Sequence, residues 1–423
     1  MIDSTPKPVT LDAWLAYIEA LHPKSIAMGL ERVQLAANRL KLNPTFPIIT
    51  IAGTNGKGST CAILEAIYLN EGYRVGCYTS PHLLRYNERV RVNQQQISDE
   101  DLCAAFAAVE NVRGEIELTY FEMGTLAAVW HFIKVGLDVA VLEVGMGGRL
   151  DAVNVFEPAC AIVTSIDLDH MEYLGDTREK IGFEKAGIYR TGKLAICGDE
   201  NPPKSLIDFA TAIGANLQLI GRDFGVKKAA DSWQYFAENI NLKMPYLAMH
   251  GDFQLNNAAC VLRTVAHLDE LLPVSQANIH KALRKVTLIG RFYQTQSKPN
   301  IYVDVAHNPQ AAQSLAHNLQ TTPCEGCTLA VFAMLADKDI GGVINALKPH
   351  ISAWYLADIH NVRGAKADDL KRKLNEFVAV KTYENVASAL KAACKDAVKN
   401  DRIIVFGSFY TVADAIESLN LKV

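Results

Sequence analysis

Short apolar runs alternate with amphipathic segments along most of this chain. The apolar runs have the length of strands, and the segments between them repeat apolar residues every three or four positions, as on one face of a helix. Strands joined in this way by helices are typical of a parallel sheet with crossover connections. The pattern predicts strands at Phe46–Ala52, Arg74–Tyr78, Asp138–Val144, Ala159–Ser165, Ile301–Val305, Leu329–Ala333, Trp354–Ala357 and Ile403–Phe406, and helices at Ser59–Asn70, Asp99–Val112, Phe121–Val135, Asn256–Leu271, 309–319, 385–398 and 410–419.

These elements form two successive series. Residues 215–255 between them are polar and irregular and predict strands and loops, and a new series of strands begins after Gly290. A chain of 423 residues also exceeds the size of one ordinary domain, about 150 residues. We therefore expect an α/β protein with a larger domain over residues 1–289 and a smaller one over residues 290–423.

Composition narrows the classes of function. The 42 Lys and Arg residues against 46 Asp and Glu leave a net charge of −4, so the chain lacks a general basic field for nucleic acid. No apolar run approaches the length of about 20 residues that a membrane helix requires, and the first residues lack the pattern of a signal peptide. Nine scattered cysteines, an odd number, are typical of a reducing compartment. We expect a cytoplasmic protein that binds neither nucleic acid nor a membrane.

The most specific local signal is Gly53-Thr54-Asn55-Gly56-Lys57-Gly58-Ser59, which joins a predicted strand to a predicted helix. Convergent backbone N–H groups and a positive helix end bind phosphates, while the lysine reaches the β- and γ-phosphates of a nucleotide and a hydroxyl holds Mg²⁺. A generic glycine-rich turn is the alternative, but such a turn does not require the lysine and the hydroxyl. The spacing departs from the Walker pattern because Gly58 separates Lys57 from Ser59.

For three other residues, the sequence around them alone does not separate a functional role from an ordinary structural one. Glu143 ends an apolar strand, where open α/β sheets place ligand-binding groups, although a carboxylate there can also cap a helix. His170 follows a strand and could ligate a metal, but Mg²⁺ prefers oxygen ligands. Lys185 could be an ordinary surface residue on a helix.

The string G-T-N-G-K resembles the motif of the Mur ligase superfamily of ATP-dependent amide-forming enzymes, and its extension G-T-N-G-K-G-S resembles that of the folylpolyglutamate synthase branch. Further blocks resemble this branch from about residue 24 to 412. Two positions depart from it, since relatives usually carry Ser, Thr or Gly in place of Val153 and Asp in place of Ala27. The blocks are Lys24–Arg32, Tyr78–His82, Leu118–Gly124, Val141–Asn154, Ser165–His170, Glu184–Ile188, Gly290–Phe292, Val303–Pro309 and Phe406–Tyr410.

The resemblance implies a P-loop NTPase-like N-terminal domain with a mainly parallel sheet and a smaller, Rossmann-like C-terminal α/β domain. It implies a ligase that phosphorylates a substrate carboxylate with ATP, after which the amine of L-glutamate displaces phosphate and forms an amide. The acceptors would be dihydropteroate and (poly)glutamylated tetrahydrofolate. Two Mg²⁺ ions, with K⁺ as a further cation, and a monomeric state complete these expectations.

The resemblance also assigns roles by position, including a carbamylated Lys185 that contributes oxygen ligands. The implied catalytic residues are Lys57, Lys185, His170 and His307. The implied ATP contacts are Thr54, Asn55, Gly56, Lys57, Gly58, Ser59, Asn257, Arg291 and Asp304. The implied metal ligands are Ser59, Ser80, Glu143, His170 and Lys185. The implied pterin contacts are Ala27, Met28, Gly29, Leu30, Thr119, Tyr120, Phe121, Glu122, Leu150, Asp151 and Ala152, and the implied glutamate contacts are His307 and Ser408.

Four alternatives stay open: a folate-only synthase, a Mur-type muropeptide ligase, a small-molecule kinase and a nucleotide switch without ligase chemistry. Gly58-Ser59 and the Val141–Asn154 block favour folate over muropeptides. A kinase would need no amine, and a switch would not need the motifs of the C-terminal domain. Release of ADP that requires both glutamate and a pteroate or folate separates these classes.

Overall fold

The computed structural model describes residues 8–24, 26–374 and 379–421. Ser25 of the Lys24–Arg32 block and the first seven residues, in which we find no signal peptide pattern, lie outside the described residues. The chain divides into two compact units, one formed by Met1–Tyr246 and Asn256–Lys285 and the other by Leu247–Leu255 and Val286–Val423. The exact boundary between residues 289 and 290 stays a prediction.

The first unit contains an eight-stranded sheet. Its strands are β1 Ile48–Ala52, β2 Val75–Tyr78, β3 Val90–Val92, β4 Gln95–Gln96, β5 Val139–Glu143, β6 Cys160–Val163, β7 Leu194–Cys197 and β8 Asn216–Leu219. They lie in the order β4-β3-β2-β5-β1-β6-β7-β8, and all neighbours from β2 to β8 are parallel. The strands β3 and β4 add an antiparallel edge.

The central strands of this sheet lie in the interior of the first unit. Every residue of β1 and of β5 is buried, as in a parallel sheet covered on both faces. The first strand begins at Ile48 and not at Phe46, because Pro47 has no N–H group for the ladder.

Helices connect these strands. The helix that begins within Gly53–Ser59, a segment called the phosphate loop below, is bounded by glycines. The helices up to Lys285 are α1 Leu11–Ala20, α2 Glu31–Leu40, α3 Lys57–Glu71, α4 Asp99–Arg113, α5 Tyr120–Val135, α6 Met171–Leu174, α7 Arg178–Ala186, α8 Lys204–Ala212, α9 Phe253–His267 and α10 Gln276–Lys285. Gly56, with a φ of 91°, precedes α3, and Gly72, with a φ of 107°, ends it. Both angles favour glycine, which explains why the helix begins and ends there.

A small antiparallel sheet occupies the region for which the sequence predicts strands and loops. Its strands are β9 Phe224–Lys228, β10 Trp233–Ala237 and β11 Ile240–Met244, in the order β11-β10-β9. Trp233, Tyr235 and Ala237 are buried while Gln234 is exposed, so one face of β10 packs against the unit.

The second unit contains a six-stranded sheet, in the order β12-β13-β17-β14-β15-β16. Its strands are β12 Tyr293–Ser297, β13 Asn300–Asp304, β14 Thr328–Phe332, β15 Ala353–Ala357, β16 Ala379–Tyr383 and β17 Arg402–Phe406, and its helices are α11 Pro309–Thr321, α12 Ile340–Leu347, α13 Ala367–Leu374, α14 Val386–Asp396 and α15 Phe409–Ser418. Only the β12–β13 pair of this sheet is antiparallel. Phe332, Trp354 and Phe406 contact one another in its core.

Short 3-10 helices complete the described residues, at Tyr86–Arg89, Ala152–Val155 and Lys348–His350. Among the helices of the described part of the chain, none combines the length and the apolar character that crossing a bilayer requires.

Candidate active site

Four neighbouring strands of the first unit end beside one another. Because β2, β5, β1 and β6 are adjacent and parallel, their carboxyl ends lie at the same edge of the sheet. Open α/β sheets bind ligands at this edge. The residues at these strand ends are Ser80 after β2, Glu143 as the last residue of β5, Gly53 after β1 and Thr164 after β6.

The phosphate loop is folded around its own lysine. The Nζ of Lys57 donates hydrogen bonds to the carbonyl oxygens of Gly53 at 2.9 Å and Thr54 at 3.3 Å. Ser59, two residues further along α3, is fully buried. The loop therefore presents a positive charge and the N-terminus of a helix at one point, which suits a phosphate group.

Residues after β6 hold the loop in this form. The Oγ1 of Thr164 donates to the carbonyl of Asn55 at 2.6 Å, and the N–H of Asn55 donates to the Oγ of Ser165 at 3.1 Å. A side chain at Gly53 would lie 1.9 Å from the Oγ1 of Thr164, so only glycine fits there. A side chain at Gly56 would lie 2.6 Å from the Oδ1 of Asn257, which places this predicted ATP contact directly against the loop.

Glu143 and Ser80 are joined at the next strand ends. Glu143 is only 4% exposed, and its Oε2 accepts a hydrogen bond from the N–H of Ser80 at 3.2 Å. Carboxylate and hydroxyl oxygens are ligands that Mg²⁺ prefers. Within the described residues, no group of three or more His, Cys, Asp and Glu side chains is placed to hold a metal ion. The predicted metal site is not of that type, since it combines two serines and a lysine that we expect to be carbamylated with Glu143 and His170.

Lys185, near the end of α7, is buried with 4% exposure. Burial, together with the charge of Lys57, lowers the pKa of its ammonium group to about 7, although Asp169 and Asp151 act in the opposite direction. The amine is therefore neutral above this pH. Lys57, Lys185, Asp151 and Asp169, which are far apart in sequence, lie close enough to influence one another's charge.

Asp151 fixes the loop that follows Glu143. Its carboxylate accepts hydrogen bonds from the N–H groups of Met146 and Val153, each at 3.0 Å. Burial raises the pKa of this carboxyl to about 7 despite these bonds. The loop lies against α7, since a side chain at Gly148 would come within 2.7 Å of the carbonyl of Glu184. This close contact with the backbone of Glu184 and Lys185 explains why position 148 is a glycine.

His170 has an unusual backbone conformation and a partly open side chain. Its φ is 51°, and it precedes the short helix α6. Its side chain is 40% exposed, and its Nε2 lies 4.0 Å from the Oδ2 of Asp169. The imidazole is therefore accessible and stands next to the carboxylate that also acts on Lys185.

The residues assigned to the pterin converge from three segments. Ala27–Leu30 precede α2, Thr119–Glu122 begin α5, and Leu150–Ala152 lead into the 3-10 helix Ala152–Val155. A side chain at Gly145 would lie 2.7 Å from the ring of Phe121, and one at Gly147 would lie 3.7 Å from the Cε of Met28. Phe121 and Met28 therefore border the glycine loop, residues 145–148, which precedes Leu150–Ala152.

In the second unit, Asp304 is the central buried group. Its carboxylate accepts hydrogen bonds from the N–H groups of Phe292 at 2.7 Å and Ala306 at 2.8 Å. Burial raises the pKa of this carboxyl to about 6, while the charges of Arg291 and His307 oppose that shift.

The other predicted site residues of this unit are Arg291, His307 and Ser408. The guanidinium of Arg291 lies 5.6 Å from the centre of the Phe409 ring, and the Nδ1 of His307 lies 2.8 Å from the carbonyl oxygen of Val305. Ser408 is buried and caps α15, since its Oγ accepts from the N–H of Thr411 at 3.0 Å.

Comparison with known proteins gives matches over nearly the whole chain. Residues 51–265 match the Mur ligase middle domain, and residues 290–409 match the Mur ligase glutamate ligase domain. The dihydrofolate synthase/folylpolyglutamate synthase of Escherichia coli is 43% identical, over 100% of this chain and 99% of its own length. The chain belongs to the dihydrofolate synthase/folylpolyglutamate synthase family of Mur ligases.

Solved structures of the family agree with this fold. The Escherichia coli enzyme in complex with DHPP and ADP superposes with a TM-score of 0.93 at 43% identity and covers 98% of this chain and 99% of its own. A bifunctional folylpolyglutamate synthase/dihydrofolate synthase with Mn, AMPPNP and L-glutamate bound gives a TM-score of 0.92 at 42% identity over 99% of this chain and 100% of its own. The predicted family, the two-domain α/β fold and the class of enzyme, an ATP-dependent ligase that joins glutamate to folates, are confirmed. The roles of single residues stay predictions.

The sequence interpretation missed several groups that support the site. Arg178 and Asp199 form an ion pair at 2.9 Å and together bind the backbone of Ile166. The N–H of Ile166 donates a hydrogen bond to Asp199 at 2.7 Å, and the carbonyl oxygen of Ile166 accepts one from the Nε of Arg178 at 2.9 Å. Ile166 lies between the residues that hold the phosphate loop and His170. Arg178 is the first residue of α7, which also carries Lys185. No local motif signals this clamp, because its parts come from three segments.

Proposed function

We propose that this ligase adds L-glutamate both to dihydropteroate and to (poly)glutamylated tetrahydrofolate. The observation that carries the proposal is the gathering of the phosphate loop, buried Glu143 and buried Lys185 with its lowered pKa at one edge of the first unit. The relatives support it, because the Escherichia coli structure holds DHPP and ADP and another relative holds AMPPNP and L-glutamate.

The reaction requires two displacements. A substrate carboxylate attacks the γ-phosphorus of ATP and gives an acyl phosphate and ADP; the glutamate amine then attacks the acyl carbon, and phosphate leaves as the amide forms. Neither step needs a nucleophilic side chain, so stabilisation of negative charge is the main task of the protein. The positive charge of Lys57 stabilises the transferring phosphoryl group when Nζ exchanges its hydrogen bonds to Gly53 and Thr54 for hydrogen bonds to that group.

The oxygen atoms of Ser59, Ser80 and Glu143 suit a magnesium ion, and His170 is an accessible further ligand. When bound, Mg²⁺ neutralises phosphoryl oxygens and polarises the acyl group. Our proposal includes two such ions, with K⁺ as a further cation. The backbone N–H of Ser80 orients the carboxylate of Glu143 for this role.

Lys185 is proposed to contribute as a carbamate. A neutral amine adds to carbon dioxide and releases a proton, and the product carries a negative charge where the lysine carried a positive one. The lowered pKa, about 7, supports this step because it makes the neutral amine available near neutral pH. A carbamate also removes the repulsion between Lys185 and Lys57.

The other substrates are assigned to further groups of residues. Phe121 and Met28, beside the glycine loop, are proposed to contact the pterin. In the second unit we assign Arg291 and Asp304 to ATP. His307 and Ser408 are assigned to glutamate. The monomeric state and the cytoplasmic location stay predictions.

A substrate panel tests the proposal. Release of ADP by the purified chain is measured with ATP, Mg²⁺ and L-glutamate, in the presence of dihydropteroate, tetrahydrofolate or a muramoyl-peptide acceptor. We expect glutamate-dependent release with the first two acceptors and none with the third. Release with tetrahydrofolate alone would identify a folate-only synthase, and release without glutamate would indicate a kinase.

A further inference from the structure

Arg89 lies against a pair of tyrosines, Tyr86 and Tyr120, whose rings meet edge to face beside the candidate active site. Its guanidinium carbon lies 5.0 Å from the centre of the Tyr86 ring and 5.5 Å from that of Tyr120. Its Nε donates a hydrogen bond to the Nδ1 of His82 at 2.8 Å. Three side chains therefore fix the plane of this guanidinium, which reduces the entropy cost of using it for recognition.

The outer end of this guanidinium carries unused donors. Within the described residues, neither Nη1 nor Nη2 of Arg89 has a hydrogen bond or an ion pair, although the residue is half-buried. The nearest carboxylate in sequence, Glu88, is committed elsewhere, because it accepts hydrogen bonds from the backbone N–H groups of Leu83, Leu84 and Arg85, each at 2.7 Å. The charge of Arg89 is thus not neutralised by a protein carboxylate.

The state of His82 agrees with this arrangement. A hydrogen bond from the Nε of Arg89 requires an unprotonated Nδ1 on the histidine. His82 therefore orients Arg89 without adding a second positive charge.

Arg89 lies between two parts of the site. Its backbone carbonyl accepts a hydrogen bond at 2.9 Å from the N–H of Thr79, which precedes Ser80 of the predicted metal site. Tyr120, whose ring also contacts that of Tyr86, belongs to the Thr119–Glu122 segment that is assigned to the pterin. Arg89 is therefore linked to both parts, and we expect a substrate that spans them to bring its reacting carboxylate near this side chain.

The two acceptors differ in charge near that carboxylate. Dihydropteroate has one carboxylate, which reacts. A folate brings the γ-carboxylate of its glutamyl residue to the same phosphate and retains a second carboxylate, the α-carboxylate, close by. We propose that Arg89 binds this unreacting α-carboxylate and is a specificity-determining residue for folate over dihydropteroate. The planar guanidinium suits it, because Nη1 and Nη2 can bind two carboxylate oxygens together. This inference rests on the dual activity proposed above.

The test compares Arg89→Gln and Arg89→Lys with the unchanged chain, using both acceptors. Since a hydrogen-bonded charge contributes about 1.5–3 kcal/mol, kcat/KM for tetrahydrofolate is expected to fall about 10- to 100-fold in Arg89→Gln. The value for dihydropteroate and the KM for ATP should change less than about threefold, which is within ordinary surface effects. Arg89→Lys should recover part of the loss for tetrahydrofolate, because it keeps the charge.

A neighbouring arginine provides the matched control. Arg85 is exposed and pairs with Asp99 at 2.8 Å, so Arg85→Gln removes the same charge from the same segment and should alter neither acceptor. Calorimetric binding of both acceptors to each variant, with thermal unfolding as a check of folding, extends the comparison to binding alone.

Equal losses for both acceptors, or unchanged binding of tetrahydrofolate to folded Arg89→Gln, would overturn the role of Arg89. Failure of the unchanged chain to ligate either acceptor would overturn the proposed function instead. In that case the binding comparison still decides whether Arg89 recognises the second carboxylate.

Discussion

The carboxyl edges of the two main sheets both carry predicted site residues, but they differ in their buried charges. In the first unit, Lys185 and Asp151 are buried near Lys57 and Asp169, so groups of both signs share one low-dielectric environment. In the second unit, one buried carboxylate, Asp304, accepts two backbone hydrogen bonds, with Arg291 and His307 as the nearby positive groups.

The difference indicates a division of tasks. Burial brings the pKa of Lys185 down to about 7 and that of Asp151 up to about 7, and perturbed pKa values of this kind are common at catalytic sites. Asp304, which two backbone N–H groups hold in place beside Arg291, suits the binding of a ligand.

The largest expected effect comes from removing the charge of the phosphate loop. Lys57→Ala should lower kcat about 100- to 1,000-fold, because one electrostatic contact to a transferring group is commonly worth about 3–4 kcal/mol. Steady-state ligation of glutamate measures it. Lys204→Ala is the matched control, since Lys204 also begins a helix but is exposed. Near-normal turnover by a folded Lys57→Ala enzyme would remove the phosphate-loop assignment.

Lys185 provides the second test of the first edge. Lys185→Ala should lower kcat about 100-fold through the loss of one charged ligand, with partial rescue by acetate or propionate. Because the pKa is lowered to about 7, the amine is neutral above that pH, and incorporation of labelled carbon dioxide should rise as pH increases through 7. Lys180→Ala, on the same helix but exposed, should do neither. A bare amine in fully active enzyme would contradict carbamylation.

Asp304 tests the second edge. Its carboxyl is charged above its pKa of about 6 and neutral below it, so the KM for ATP should rise as pH falls through 6. Asp304→Asn should raise this KM about tenfold at neutral pH, since a charged hydrogen bond is worth about 1.5–3 kcal/mol, and should abolish the pH dependence. Titration of KM in both proteins measures it. The same pH dependence in Asp304→Asn would assign it to another group.

Contiguous features of this site could be predicted from sequence, and features assembled across the fold could not. The strand, the glycines and the lysine of the phosphate loop lie within a few residues of one another in the sequence. Glu143 is recognisable because it ends an apolar strand. The Arg178–Asp199 clamp joins separate segments, and its residues look like surface charges in sequence. Several helices were also not predicted. One of them is α10, although its buried side chains Ile279, Ala282 and Leu283 repeat at helical spacing.

Thr164 provides the smallest and most local test, because it belongs to the support that the sequence did not reveal. Its Oγ1 donates to the carbonyl of Asn55 at 2.6 Å, and its side chain fills the space that Gly53 leaves open. Thr164→Val keeps the shape but removes the donor, so the loop carbonyl loses about 1 kcal/mol of hydrogen bonding. We expect the KM for ATP to rise about fivefold while the KM for folate stays unchanged. Thr211→Val removes a similar bond, 2.8 Å to the carbonyl of Ile207, from an exposed helix and should leave both values unchanged. A lower melting temperature with an unchanged KM for ATP would show that Thr164 stabilises the fold without shaping the phosphate loop.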